Sequence, residues 1–298
     1  MMLRIPETGH RLMINYQLKT KSRISSTTDF KTCELSVLLG MDNLSYTVYD
    51  RQQIDVLYLN ALSYKFSPQP NTLIKRLEDL FNKETELNKP YSRVNVIYQN
   101  HWSTLVPNDL YNADLKKDYL KYSLKVYEDD AIDIDVLPEM YAKNIYLYPR
   151  LVDDFFNEKF TGKVQRKHHA SVLINALMRY FSTTDKSYLF INVYQHTIQI
   201  IHLKSGRLQF YNSFLYDTKE DFMYYVLFVM EQLGLDPDRQ PVTFLGQITT
   251  DDDVYKIAYQ YIRHLNFFSI DNFNISDAFY TDNPQIQKHF YFELLNQL

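Results

Sequence analysis

Residues 187–214 read SYLFINVYQHTIQIIHLKSGRLQFYNSF. Short runs rich in β-branched and aromatic residues, broken by polar turn residues, predict three consecutive strands joined by two tight turns. Lys204, Ser205 and Gly206 form the second turn, with Gly206 in the left-handed position a two-residue hairpin needs. Residues 35–60, LSVLLGMDNLSYTVYDRQQIDVLYLN, repeat the pattern without repeating the identity. Leu35, Val37 and Leu39 alternate along a first strand, Met41, Asp42 and Asn43 form a turn, SYTVYD forms a second strand and IDVLYLN a third. Leu35 falls on Tyr188 at an offset of about 153 residues, close to half the chain, which points to an internal duplication.

The order of helices and strands after each meander strengthens that reading. After the first come a helix with an apolar stripe at Leu73, Leu77, Leu80 and Phe81 and Asn71 as N-cap, then the strand SRVNVIYQN. Residues near 105–140 then interrupt the pattern. LVPNDLYNADLKKDYLKY reads as a short helix and connector, and EDDAIDIDVLPEM as a strand. NIYLYPRLVDDFFNEKF supplies a strand and a helix that opens on Pro149. The polar run FTGKVQRKH, residues 160–168, is the expected internal boundary, giving units 1–160 and 161–298. The second unit opens with the helix HASVLINALMRYF. Its meander is followed by a helix with a capping-box start at Thr218 and Asp221, a stripe of Phe222, Val226, Val229 and Leu233, and a stop at Gly234. PVTFLG, a helix opened by Thr250 and Asp251–Asp253, the strand NFFSI and an aromatic tail helix complete it.

Composition narrows the function classes. A net charge of −4 with mixed signs argues against nucleic acid, because no basic stripe is present to neutralise phosphates. One cysteine, Cys33, excludes an intrachain disulfide and fits a reducing compartment, so a cytoplasmic location is expected. The opening residues lack the apolar core of a signal peptide, and no run reaches the length of a membrane span. Only six glycines occur, and no two lie close together as a phosphate-wrapping loop requires.

Three strands followed by alternating helices and strands, twice over, describe a duplicated ribonuclease H-like unit. LVPNDLY, KHHASVLINAL, LQFYNSFLYDTKEDFMYYVLFVMEQLGLD and VTFLGQI, in that order, carry a more specific likeness. The chain resembles a bacterial family of unknown function with the actin-like ATPase fold, an α/β fold of two βββαβαβ lobes with an insertion in the first. It is also similar to the actin-like proteins of type IV pilus and type II secretion platforms. The resemblance implies a fold and no reaction.

It also implies where ATP with Mg²⁺ would sit: between the lobes, at an Asp-x-Gly turn after each first strand and at paired glycines after a later strand. The corresponding residues here are Asp42 in the first turn, Asn192 and Thr197 around the second, and Gly246 in FLGQIT. Each departs from the pattern. Asp42 follows Gly40 instead of preceding a glycine, Asn192 lacks the charge a hard cation wants, Tyr194 stands where a glycine would be, and Gln247 follows Gly246. The expectation is therefore a non-catalytic binding or scaffold protein with no cofactor and a protein partner. The aromatic tail would either close the core or mediate a homodimer. The alternative is an actin-like ATPase with an unorthodox site built on Asp42, Asn192, Thr197 and Gly246.

Other candidates point to structure. A two-metal nuclease would draw on Asp42, Glu128–Asp130, Asp133, Asp135 and Asp251–Asp253, but the first strands lack the carboxylate this chemistry needs. Asp251–Asp253 suit a helix N-terminus. Adjacent His168 and His169 cannot share one metal from one helix face and are expected to cap or pack. Asn212 and Ser213 are expected to bond local backbone at a strand-to-helix corner. No nucleophile-elbow motif occurs. Trp102 can be either a buried anchor or an exposed contact.

Overall fold

The computed structural model describes residues 14–20, 22–64, 70–121, 124–269 and 275–297. Most of the N-terminal stretch read against a signal peptide, and the last residue of NFFSI, lie outside these.

The first sheet is built from β1 (Ile14–Lys19), β2 (Cys33–Leu39), β3 (Asn43–Asp50), β4 (Asp55–Tyr64) and β5 (Arg93–Tyr98), with helix α1 (Pro70–Lys83) between β4 and β5. Asn71 lies inside α1, which begins at Pro70, a residue preorganised for the first helical turn. Three strands, β6 (Ser103–Pro107), β7 (Asp130–Leu137) and β8 (Ala142–Pro149), form a separate small sheet with α2 (Lys116–Lys121). Part of the stretch read as a helix is thus the strand β6, paired to β8 from Ser103 against Tyr146. Helix α3 (Arg150–Lys159) leads to β9 (Val164–His168). This polar strand pairs in parallel with β5 and completes the first sheet, so the chain leaves that sheet after His168.

Helix α4 (His169–Phe181) crosses to the second sheet: β10 (Ser187–Val193), β11 (Thr197–Lys204), β12 (Arg207–Leu215), α5 (Lys219–Gln232), β13 (Val242–Gly246), α6 (Asp253–Tyr261) and β14 (Leu265–Phe267). Two short helices, α7 (Asp277–Asp282) and α8 (Phe292–Asn296), end the chain. The second sheet has the order β12-β11-β10-β13-β14, and the first has β1-β4-β3-β2-β5-β9. Without β1 the two orders are the same, with three antiparallel strands followed by two parallel ones. The duplication read from the two meanders is therefore a duplication of topology.

The layers reflect which faces are apolar. β2, a central strand, is buried along its whole length, as a strand covered on both faces must be. One face of the first sheet packs Leu35, Val37 and Leu39 against Leu77 and Phe81 of α1 and Phe156 of α3. The outer face of the second sheet packs Ile191 and Phe244 against Phe222 and Val226 of α5. Between the sheets lie α4 and α8. Val172 of α4 and Leu294 and Leu295 of α8 join the first sheet's inner cluster, while Leu173 and Leu177 of α4 and Phe292 of α8 join the second's. The aromatic tail closes the core.

Candidate functional site

The two sheets bring their first turns together across the central layer. Residues 40–42 join β2 to β3, and residues 194–196 join β10 to β11. Gly40, Asp42, His101, His169, Tyr194 and Thr197 line a single cavity of about 40 Å³ between these turns. Two of the four candidate residues, Asp42 and Thr197, therefore meet in one place. Sites for small ligands run to roughly 300–1,000 Å³, so this space admits a few waters and no triphosphate.

A buried polar network fills the remainder. Glu293, from α8, is 1% exposed. Its Oε1 accepts from Asn192 Nδ2 at 2.5 Å and from the Tyr194 hydroxyl at 2.5 Å. Asn192 Nδ2 also donates to Gln199 Oε1 at 2.8 Å, and Gln199 Nε2 donates to the Tyr211 hydroxyl at 2.8 Å. His169 Nε2 lies 2.8 Å from the Asn100 carbonyl and its Nδ1 lies 3.9 Å from Glu293 Oε1. Burial raises the Glu293 carboxyl to about 6, against the lowering effect of its Tyr194 and Asn192 donors. Burial also drops the His169 imidazole to about 4. Burial thus disfavours charge on both groups, the proton on His169 and the negative charge on Glu293. Asp42, which is 7% exposed, has its carboxyl raised by burial, partly offset by the hydrogen bond from Asn43.

The glycines serve the chain's own packing. A Cβ on Gly246 would sit 2.2 Å from the Val193 carbonyl oxygen and 2.9 Å from Asn192 Oδ1, and its φ is +85°. Its amide donates to the His289 carbonyl at 2.9 Å. Gly246 is thus a glycine so that β13 can press against β10, and its N–H is taken by the tail. A Cβ on Gly40 would sit 2.6 Å from Asn43 Nδ2, and the Gly40 amide donates to the Asn43 carbonyl. In the second turn the Tyr194 amide donates to the Thr197 carbonyl. Gly246 is not among the residues that line the small cavity.

A larger cavity of about 750 Å³ opens beside the network. Gln247, Asp217, Lys219, Asp252 and Asp253 of the second lobe and Ser63 of the first line it. Tyr194 lines both cavities. The larger space has the volume of a nucleotide site, but three of those five second-lobe residues are acids and one is a cation.

The remaining sequence candidates have local roles. Asp135 Oδ2 accepts from the His168 amide, and His168 Nδ1 caps α4 by accepting from the Ala170 amide. Asp252 Oδ2 accepts from both the amide and the hydroxyl of Thr249 at the start of α6. Among the described residues no three His, Cys, Asp or Glu side chains are placed to share a metal ion. Cys33 is buried in the first sheet's core, Trp102 packs on the small sheet's cluster, and Asn212 Oδ1 accepts from the Ser213 amide. Glu293 and Gln199 are members of the buried network that sequence reasoning misses. Their signal is faint: one acid in the apolar run FYFELL and one amide inside the strand TIQIIHL.

Likeness to known proteins agrees with this bilobal architecture. The profile of a protein family of unknown function, DUF3822, matches residues 23–265. The chain belongs to the DUF3822 family. Its fold is the actin-like ATPase fold. The solved structures it is similar to include a Bacteroides thetaiotaomicron protein with an actin-like ATPase fold and unknown function, at 19% identity, TM-score 0.74, 84% of this chain and 96% of that one. They also include the PilM–PilN type IV pilus biogenesis complex, at 12% identity, TM-score 0.54, 88% of this chain and 96% of that one. No curated protein matches the sequence significantly. Among the described residues no helix is long and apolar enough to cross a membrane.

Proposed function

We propose that this DUF3822 chain is a non-catalytic, cytoplasmic, actin-like binding protein whose nucleotide site is degenerate and whose ligand is another protein. The observation that carries the reading is the closure of the turn-to-turn space by Tyr194 and Glu293, with Asn192 in place of a carboxylate. A phosphate entering there would meet the buried Glu293 carboxyl. The likeness to the PilM–PilN complex, in which this fold is seen with a protein partner, supports protein binding as its use. Phosphate release from ATP and Mg²⁺ is the direct test of catalysis. The expected rate equals the buffer blank, and steady turnover that disappears in D42A would overturn the reading.

One observation favours the second reading, an ATPase using Asp42, Asn192, Thr197 and Gly246: the 750 Å³ cavity is large enough for a nucleoside. On that reading Tyr194 must swing away to join the two cavities, and Tyr194→Ala would raise nucleotide affinity.

A further inference from the structure

The two lobes treat the same sheet edge differently. In the first lobe the outer edge of the third meander strand, β4, is covered by β1, which pairs with it from Ile14 against Tyr64 to Lys19 against Asn60. The repeat-related strand of the second lobe is β12. It pairs with β11 alone among the described residues.

The Tyr194 amide bond to Thr197 closes the β10–β11 hairpin, so odd-numbered residues of β11 bond to β10 and even-numbered ones to β12. The even-numbered residues of β12 from Phe210 onward therefore face inward. Tyr211, Ser213 and Leu215 turn their amides and carbonyls outward. The Ser213 amide has only the neighbouring Asn212 Oδ1, at 2.9 Å. Natural edges are blunted by charge, proline or short length. Beyond a register shift near His202 and Leu203, the segment FYNSFL of β12 has no charge, proline or glycine. Beside it Phe214 stacks on Tyr225 at 4.7 Å, and Tyr224 stacks on Phe228 along the outside of α5, 62% and 43% exposed.

Charge selects the occupant. The hairpin into β12 is basic, with exposed Lys204 ending β11 and Arg207 opening β12, and the far end of β12 runs into exposed Asp217 and Glu220, with Lys219 between them. An antiparallel copy of the same strand sets each basic end against an acidic end. With a two-fold axis at Asn212, Tyr211 exchanges hydrogen bonds with Ser213 of the second copy, which matches the outward set, and Arg207 falls opposite Asp217. That axis keeps both α5 helices on one face of the joined sheet, where their exposed aromatic rings flank the new pair.

We infer that β12 is a self-complementary dimer interface, pairing antiparallel with β12 of a second copy about Asn212 to make one continuous sheet. The pairing edge is the backbone of β12, and only its far end approaches the cleft, with Leu215 at the small cavity and Asp217 at the large one.

Sedimentation equilibrium on the full chain tests it, with a charge exchange. The wild-type chain is expected to dimerise, more weakly at high salt. K204E/R207E and D217K/E220K each put like charges opposite and are expected to weaken self-association by about tenfold or more. An equimolar mixture of the two restores complementarity at both ends and is expected to recover a heterodimer, which also shows that both variants fold. Ser213→Pro removes an outward amide and is expected to give a monomer with an unchanged circular dichroism spectrum. A monomeric wild-type chain, or a dimer that ignores all three variants, overturns the inference, as does a mixture that fails to associate.

Discussion

The Tyr194 hydroxyl donates to Glu293 Oε1 at 2.5 Å, tying the first turn of the second lobe to the last helix of the chain. On the proposed reading this bond closes the space between the turns to phosphate. Tyr194→Phe deletes the donor and keeps the ring, leaving a buried carboxylate with one fewer partner. It is expected to cost about 1–3 kcal/mol in urea unfolding. An unchanged midpoint would mean the bond contributes nothing to closure.

The pH dependence of stability reflects two buried groups that work in opposite directions. The Glu293 carboxyl is raised from 4.5 to about 6, so its contribution is full below 4.5 and is lost as pH rises through 6, an effect of about 2 kcal/mol. The His169 imidazole is lowered from 6.5 to about 4, so its contribution is full above 6.5 and is lost as pH falls toward 4, by about 3 kcal/mol. In the wild-type chain the two partly cancel. Glu293→Gln removes only the first. The variant is expected to be more stable than wild type at pH 8, by about 2 kcal/mol, and to lose that advantage by pH 4.5. Parallel stability profiles for the two proteins between pH 4.5 and 8 would contradict this.

Gly246→Ala separates a packing glycine from a ligand glycine. The added methyl would meet the Val193 carbonyl at 2.2 Å, on a backbone with φ +85°. A loss of about 3 kcal/mol or more is expected. Gly234→Ala, at φ +64° with open space around it, is expected to cost about 1 kcal/mol. Thermal melts of the two variants compare them directly, and equal shifts would show that β13 can draw back from β10.

Helix α8 joins the lobes through apolar side chains that point both ways. Leu294→Ala, in the first lobe's cluster, is expected to cost about 2–5 kcal/mol, and Phe292→Ala, in the second's, about 3–5 kcal/mol. Both variants are expected to melt in one transition, because the lobes share their central layer. Two resolved calorimetric peaks in either would show lobes that fold independently.

The fold is legible in the sequence because it repeats. Two meanders with alternating strands, a hairpin at Lys204, Ser205 and Gly206, and a capping box at Thr218 and Asp221 are local signals, and each holds in the structure. Asn192 and Tyr194, singled out in the sequence at the second turn, both bond Glu293 in the structure. Three features are not legible in the sequence. β9 is polar because it ends a sheet, so its sequence reads as a linker. β6 is a short strand whose partner lies more than thirty residues further on. Glu293 reaches Asn192 across a sequence separation of 101, and only tertiary structure makes that contact.

Calorimetric titration of the full chain with ATP and Mg²⁺, to millimolar nucleotide, tests the central claim most directly. Closure by Tyr194 and Glu293 predicts no saturable heat from the wild-type chain. Saturable binding in the micromolar range, lost in Asp42→Ala, would contradict it and put the nucleotide back between the lobes.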